Sequence, residues 1–176
     1  MLKKILLLII IFWVTLFSLQ IVCAQGDQDL YSQGVAAGRR GETDFAFMNF
    51  HALVETYPES KYFEHAFFSI GEYYFSVANY ENAKITFLKL INKFPKTKTK
   101  PFALVYLMEM AKRQDQEGLV KELEKEIIRF KQTSLIFRDF QEHRYVSGFS
   151  KRYKAVYFID RIEIYINNEL SARIPL

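Results

Sequence analysis

A chain of 176 residues is long enough for one domain with an appendage. Half its residues are hydrophobic and 16% are aromatic, which supplies a packed core and excludes disorder for most of the length. The formal charge of +4 falls to +2 if Lys3 and Lys4 leave with a leader, too small an excess to argue for nucleic acid.

The N-terminus carries the three parts of a secretory signal. Met1-Leu2-Lys3-Lys4 is a short positive region, Ile5 to Phe17 is apolar except for Thr15, and Val22-Cys23-Ala24 fits cleavage before Gln25. Residues 1–24 are therefore expected to be a signal peptide. An uncleaved anchor stays open, because Ile5 to Val22 is near the minimum for spanning a bilayer. Lipidation at Cys23 stays open as well, against it the bulk of Val22 just before the cysteine. All three place the folded part outside the cytoplasm. Cys23 is the sole cysteine, so cleavage after Ala24 excludes disulfide stapling, thiol catalysis and cysteine metal sites.

Residues 25–133 contain an internal repeat. Pro58 and Pro95 are 37 residues apart, and the same offset pairs Gly34 with Gly71, Ala46 with Ala83, Phe50 with Phe87 and Leu53 with Leu90. The first unit predicts a helix from Asp29 to Arg40, a turn at Gly41 and a helix from Thr43 to Tyr57. In the second, Phe67, Ile70, Gly71 and Tyr74 share one face of a first helix, and Ala83, Phe87, Leu90 and Ile91 define a second that Pro95 ends. A third, weaker unit follows: a helix from Pro101 to Arg113, with proline at its favoured first position, and another from Glu117 to Lys131, with Leu119, Leu123 and Ile127 at helical spacing.

The order aromatic, aliphatic, Gly, Tyr, Ala, Phe, Pro over Tyr62 to Pro95 resembles the tetratricopeptide repeat family. The period of 36 or 37 and the Tyr-Pro-x-Ser-Lys loop, together with the leader, are similar to its envelope subgroup, which includes the Tol-Pal system coordinator and the outer-membrane barrel-assembly lipoprotein. The fold implied is mainly α: a tetratricopeptide-type right-handed stack of about three helical hairpins.

Residues 134–176 are expected to form a C-terminal cap with a β-hairpin appendage. Leu135 to Ser147 reads as a capping helix, with Phe137, Phe140 and Arg144 at helical spacing, and Gly148-Phe149-Ser150 breaks it. From Tyr153 the period becomes two. Ile162, Ile164 and Ile166 form one strand, and Leu170, Ala172 and Ile174 its partner. Asn167-Asn168 invites a two-residue turn, but that register sets Ile164 opposite Ser171. A three-residue loop pairs Ile166 with Leu170, Ile164 with Ala172 and Ile162 with Ile174, and is favoured because burial specifies register.

No catalytic, cofactor or metal constellation is legible. His51 has only Glu55 four residues on, and His143 has no second ligand in a recognised motif. Gly34-Val35-Ala36-Ala37-Gly38 lies inside a repeat helix, where packing accounts for it. Glu122, Glu124 and Glu126 alternate with lysines as a solvated face does.

The resemblance does imply a binding surface, since the first helices of stacked hairpins line a concave groove. By position in the family's pattern, the groove residues are Tyr31, Val35 and Arg39 in the first unit; His65, Phe68, Glu72 and Phe75 in the second; and Phe102, Val105, Glu109 and Lys112 in the third. Two readings stand: aromatic anchors and charges for a protein or peptide partner, or plain core, with the C-terminal segment filling the groove. The expected function is an exported, non-catalytic adaptor in the bacterial envelope, in outer-membrane or envelope assembly. The N-terminal segment is a candidate membrane tether. Two rivals stay open: an enzyme or accessory protein acting on cell-wall or surface polymers, and a structural protein that self-associates through its C-terminal hairpin.

Overall fold

The computed structural model describes residues 26–132 and 141–176. Six helices come first: α1 (Asp27–Arg40), α2 (Thr43–Thr56), α3 (Phe63–Ser76), α4 (Tyr80–Lys93), α5 (Lys100–Arg113) and α6 (Glu117–Gln132). They pack as consecutive antiparallel pairs, α1 with α2, α3 with α4 and α5 with α6, each pair stacked on the next. Local chemistry sets the breaks. Gly41 takes the left-handed conformation (φ 79°) after α1, and the Asn79 side chain accepts a hydrogen bond from the Asn82 N–H to cap α4.

The repeat glycines are there for contact. A Cβ at Gly34 would lie 2.5 Å from the Phe50 ring, and one at Gly71 would lie 2.6 Å from the Phe87 ring. Both phenylalanines are fully buried. Each of the first two hairpins thus closes by seating a second-helix phenylalanine on the bare backbone of its first helix. That single steric demand explains why glycine and phenylalanine recur together at the offset of 37.

The chain ends in a four-stranded antiparallel meander, ordered β1 (Gln141–Val146), β2 (Arg152–Tyr157), β3 (Arg161–Ile166), β4 (Glu169–Pro175). The expected hairpin is β3–β4, and two further strands extend it to a sheet. Residues 141–146, expected as the end of a capping helix, are instead strand β1. Its buried face presents His143 and Tyr145, polar aromatics that mask the period of two. The remainder of that expected helix, and the boundary placed at residue 133, lie outside the described residues.

The β3–β4 register combines both alternatives. Asn167 and Asn168 form a two-residue turn with φ of 52° and 70°, and Ile166 pairs with Glu169. A bulge between Ile164 and Tyr165 then opposes Ser171 as an extra residue, which restores Ile164 to Ala172 and Ile162 to Ile174. Turn chemistry and burial are both satisfied, at the cost of one unpaired residue. The expected three-residue loop, with Ile166 opposite Leu170, is not formed.

The inner face of the sheet (Tyr153, Ala155, Tyr157, Ile162, Ile164, Ala172, Ile174) joins Phe68, Phe87, Phe102 and Ile127 in one core. A smaller core holds the first hairpin, around Leu30, Phe50, Leu53 and Ile70.

Candidate functional site

The first helices α1, α3 and α5 line the surface that the repeats predict to be a groove, and the sheet lies across it. β1 runs lengthwise along the stack. Its start is near Lys98, beside His143, and its end reaches Gly148, whose N–H donates to Ser69 Oγ at 3.2 Å. Gly148 also abuts α1, since a Cβ on Gly38 would fall 2.3 Å from its carbonyl oxygen. Phe149 meets Phe50 edge-on at 5.8 Å.

Four of the eleven expected groove residues, His65, Phe68, Glu72 and Phe102, therefore contact the chain's own sheet. Phe68 is fully buried, edge-on to Tyr145 at 5.3 Å and to Tyr153 at 5.5 Å. His65 stacks on Tyr145 at 5.5 Å, with Nδ1 3.3 Å from the phenolic oxygen. Phe102 is buried 5.0 Å from Tyr153, and Val105 is buried in the same core. Tyr31 stacks on Tyr62 at 4.6 Å and flanks His65. Phe75 packs on Tyr80 and Tyr106, and Val35 packs on the first-hairpin core. Only Arg39, Glu109 and Lys112 of the set are exposed, and Glu109 accepts a hydrogen bond from Arg113 at 2.9 Å. His65, Phe68, Glu72 and Phe102 thus face a groove filled from within.

Glu72 is the polar centre of this contact. Its side chain is buried, accepts a hydrogen bond from the Tyr153 hydroxyl, and lies 3.8 Å from Lys151 Nζ. The Tyr106 and Tyr153 hydroxyl oxygens are 2.7 Å apart, and Lys151 Nζ reaches Tyr106 at 3.4 Å. Burial pushes the Glu72 carboxyl up to about 7, opposed by the Lys151 charge and by the hydrogen bond from Tyr153. Burial, and then the nearby Glu72, hold the Tyr153 phenol well above its ordinary value.

Tyr145, Lys151 and Tyr153, which complete this site, were not among the expected residues. One signal was present: β2 alternates Tyr153, Ala155 and Tyr157 with Arg152, Lys154 and Val156, so its buried face carries hydroxyls that require acceptors.

A second feature lies on the helices away from the sheet. Phe45 and Met48 on α2 and Ile85 and Leu88 on α4 are exposed, Met48 by 62% of its surface. Met48 and Ile85 are equivalent under the repeat. Beside them is a mainly apolar cleft between α4, α5 and α6, lined by Tyr80, Leu88, Leu107, Met110, Leu119 and Leu123. Among the described residues, no group of three or more His, Cys, Asp or Glu side chains is placed to hold a metal ion. No described helix is long and apolar enough to cross a membrane.

Stacked helical hairpins, the first two closed by Gly-Phe contacts, define a tetratricopeptide-type protein, here with an appended sheet laid across its concave face. Over residues 24–166 the sequence matches the family model YfiO, described as outer membrane lipoprotein, and the chain belongs to that family. The match agrees with the envelope subgroup that the repeats resemble. No curated protein matches the chain.

Proposed function

We propose that this protein is an exported, non-catalytic adaptor that holds protein partners together in the bacterial envelope, at the outer membrane. The carrying observation is the exposed apolar row Phe45, Met48, Ile85 and Leu88 beside the α4–α6 cleft, on a stack whose other face is occupied by its own sheet. Large apolar side chains grouped on an exposed face favour protein contact. Membership of an outer membrane lipoprotein family supports the location. The leader pattern supports export, and Cys23, one residue before the matched region, is the point at which a lipid would attach. Arg39, Glu109 and Lys112, still exposed at the margin of the groove, are the remaining groove positions able to touch a partner.

Photo-reactive residues at Met48 and Leu88, followed by crosslinking in cells and mass spectrometry, test the reading. The expected result is crosslinks to another envelope protein. Crosslinks confined to this chain at both positions would overturn it.

A further inference from the structure

The three hairpins meet at two junctions, which the repeat makes comparable position by position. At the first, α2 packs on α3 through an aromatic cluster. Phe47 stacks on Tyr73 at 4.2 Å and lies edge-on to Tyr74 at 5.3 Å. The Tyr73 hydroxyl closes the cluster by donating to Asp44 Oδ1 at 2.8 Å. Helices α2 and α4 begin 37 residues apart, and so do α3 and α5. That offset sets Glu81 for Asp44, Lys84 for Phe47, Met110 for Tyr73 and Ala111 for Tyr74 at the second junction. All three rings are gone, and the acidic residue is kept. Tyr80, at the position of Thr43, does not replace them, since it is held edge-on to Phe75 at 5.4 Å.

The cleft between α4, α5 and α6 is the result. Glu81, Lys84, Met110 and Ala111 all line it, beside the buried Leu107 and Leu123. It holds about 480 Å³, its open mouth included. Glu81 is exposed, and among the described residues its carboxylate accepts no side-chain hydrogen bond and joins no salt bridge. The acceptor that Asp44 supplies at the first junction is thus present at the second without its donor. An apolar recess with one acceptor at its rim matches a tyrosine, whose ring is desolvated while its hydroxyl keeps a partner. Phenylalanine would satisfy the recess alone. Tyrosine is also among the side chains that most often anchor one protein in a pocket of another.

We propose that this cleft receives a tyrosine side chain of a partner protein, its ring taking the place that Phe47 and Tyr74 fill at the first junction and its hydroxyl donating to Glu81. The inference rests on the adaptor function proposed above and names the side chain that holds a partner beside the apolar row on α2 and α4. The first junction is the template: it shows which groups occupy this space when the chain supplies them itself.

The test titrates N-acetyltyrosinamide, with N-acetylphenylalaninamide as comparison, into the full chain carrying labelled Ala, Met and Leu methyl groups for NMR. Saturable shifts are expected at Ala111, Met110 and Leu88. Glu81→Gln, a change at one exposed side chain, should weaken the tyrosine probe at least threefold and leave the phenylalanine probe unchanged. Ala111→Tyr, which restores a ring of the first junction, should abolish binding of both. No saturable shift in the wild type, or tyrosine binding that ignores Glu81→Gln, would overturn the proposal. Nuclear Overhauser contacts from Phe137 to Ala111, meaning that the chain fills its own cleft, would do the same. Crosslinking from Met48 separates this inference from the function it rests on. Crosslinks to an envelope protein that persist in Ala111→Tyr defeat the tyrosine site and leave the adaptor standing, whereas saturable probe binding with no such crosslink from the wild type defeats the adaptor alone.

Discussion

Tyr153 on β2 donates a hydrogen bond to Glu72 on α3, joining sheet and helices across 81 positions of sequence. The bond holds an ionisable group inside the protein, so docking of the sheet depends on pH. In the unfolded chain Glu72 titrates near 4.5, and in the fold it does so at about 7. The folded state therefore holds the extra proton between those values. Stability from this group is complete below pH 4.5 and is lost as pH rises through 7, a span of about 3 kcal/mol. His143, on the same face of the sheet, acts oppositely. Burial, aided by the Lys98 charge, lowers its value below the ordinary 6.5, which costs stability as the solution becomes acidic. The clean readout is thus a difference: urea unfolding at pH 5 and pH 8 should show wild type losing stability relative to Glu72→Gln at the higher pH.

Gly38 and Gly148 make a backbone-to-backbone contact that no side chain can share. Gly38→Ala brings a methyl group to 2.3 Å from the Gly148 carbonyl oxygen. Overpacking of that kind costs about 1–3 kcal/mol. Gly118→Ala is the control, since nothing lies within 4 Å of its added Cβ. That change should leave stability unchanged or raise it by up to about 1 kcal/mol, as helix propensity favours alanine. Chemical denaturation of the two variants separates steric contact from propensity.

Phe68 and Met48 divide stability from recognition. Phe68→Ala empties a fully buried site between α3 and the sheet and should cost about 3–5 kcal/mol. Met48→Glu alters a side chain that is 62% exposed and should change stability by no more than about 0.5 kcal/mol. If the α2 and α4 row docks a partner, Met48→Glu nevertheless loses co-purification of that partner from envelope extracts. A stable variant that retains its partner would remove Met48 from the interface.

The helical hairpins were legible because Gly34 and Phe50, and Gly71 and Phe87, answer a purely local demand that repeats with the chain. The sheet was legible where burial falls on aliphatic residues, as at Ile162, Ile164 and Ala172. It was hidden in β1, where the face turned to the helices carries His143 and Tyr145 and the aromatics preceding it mimic a helical period. Glu72 was hidden for a related reason. A glutamate on a groove-facing position reads as a charge for a peptide, and only the tertiary contact with Tyr153 and Lys151 turns it into an interior group. Side chains whose polarity is satisfied by a distant element carry no local signal of burial.

The β3–β4 connection offers a test of how register is set. Asn167 and Asn168 both have positive φ, a conformation asparagine tolerates far better than β-branched or bulky residues. The bulge places Ser171 between Leu170, which pairs with Tyr165, and Ala172, which pairs with Ile164. Deleting Ser171 leaves each of those pairs intact and restores strict alternation, so it should change stability by less than about 1 kcal/mol. Deleting Asn168 has a different effect. The two-residue turn is lost, and the strand must either shift by one residue, turning Ala172 and Ile174 out of the core, or break the pairing at Ile166. Both routes expose buried surface and should cost several times more, on the order of 3 kcal/mol. Urea unfolding of the two deletions, with hydrogen exchange at Ile162 and Ile164, distinguishes them. Equal losses would mean that the bulge itself, rather than the inward alternation of Ile162, Ile164, Ala172 and Ile174, fixes the register.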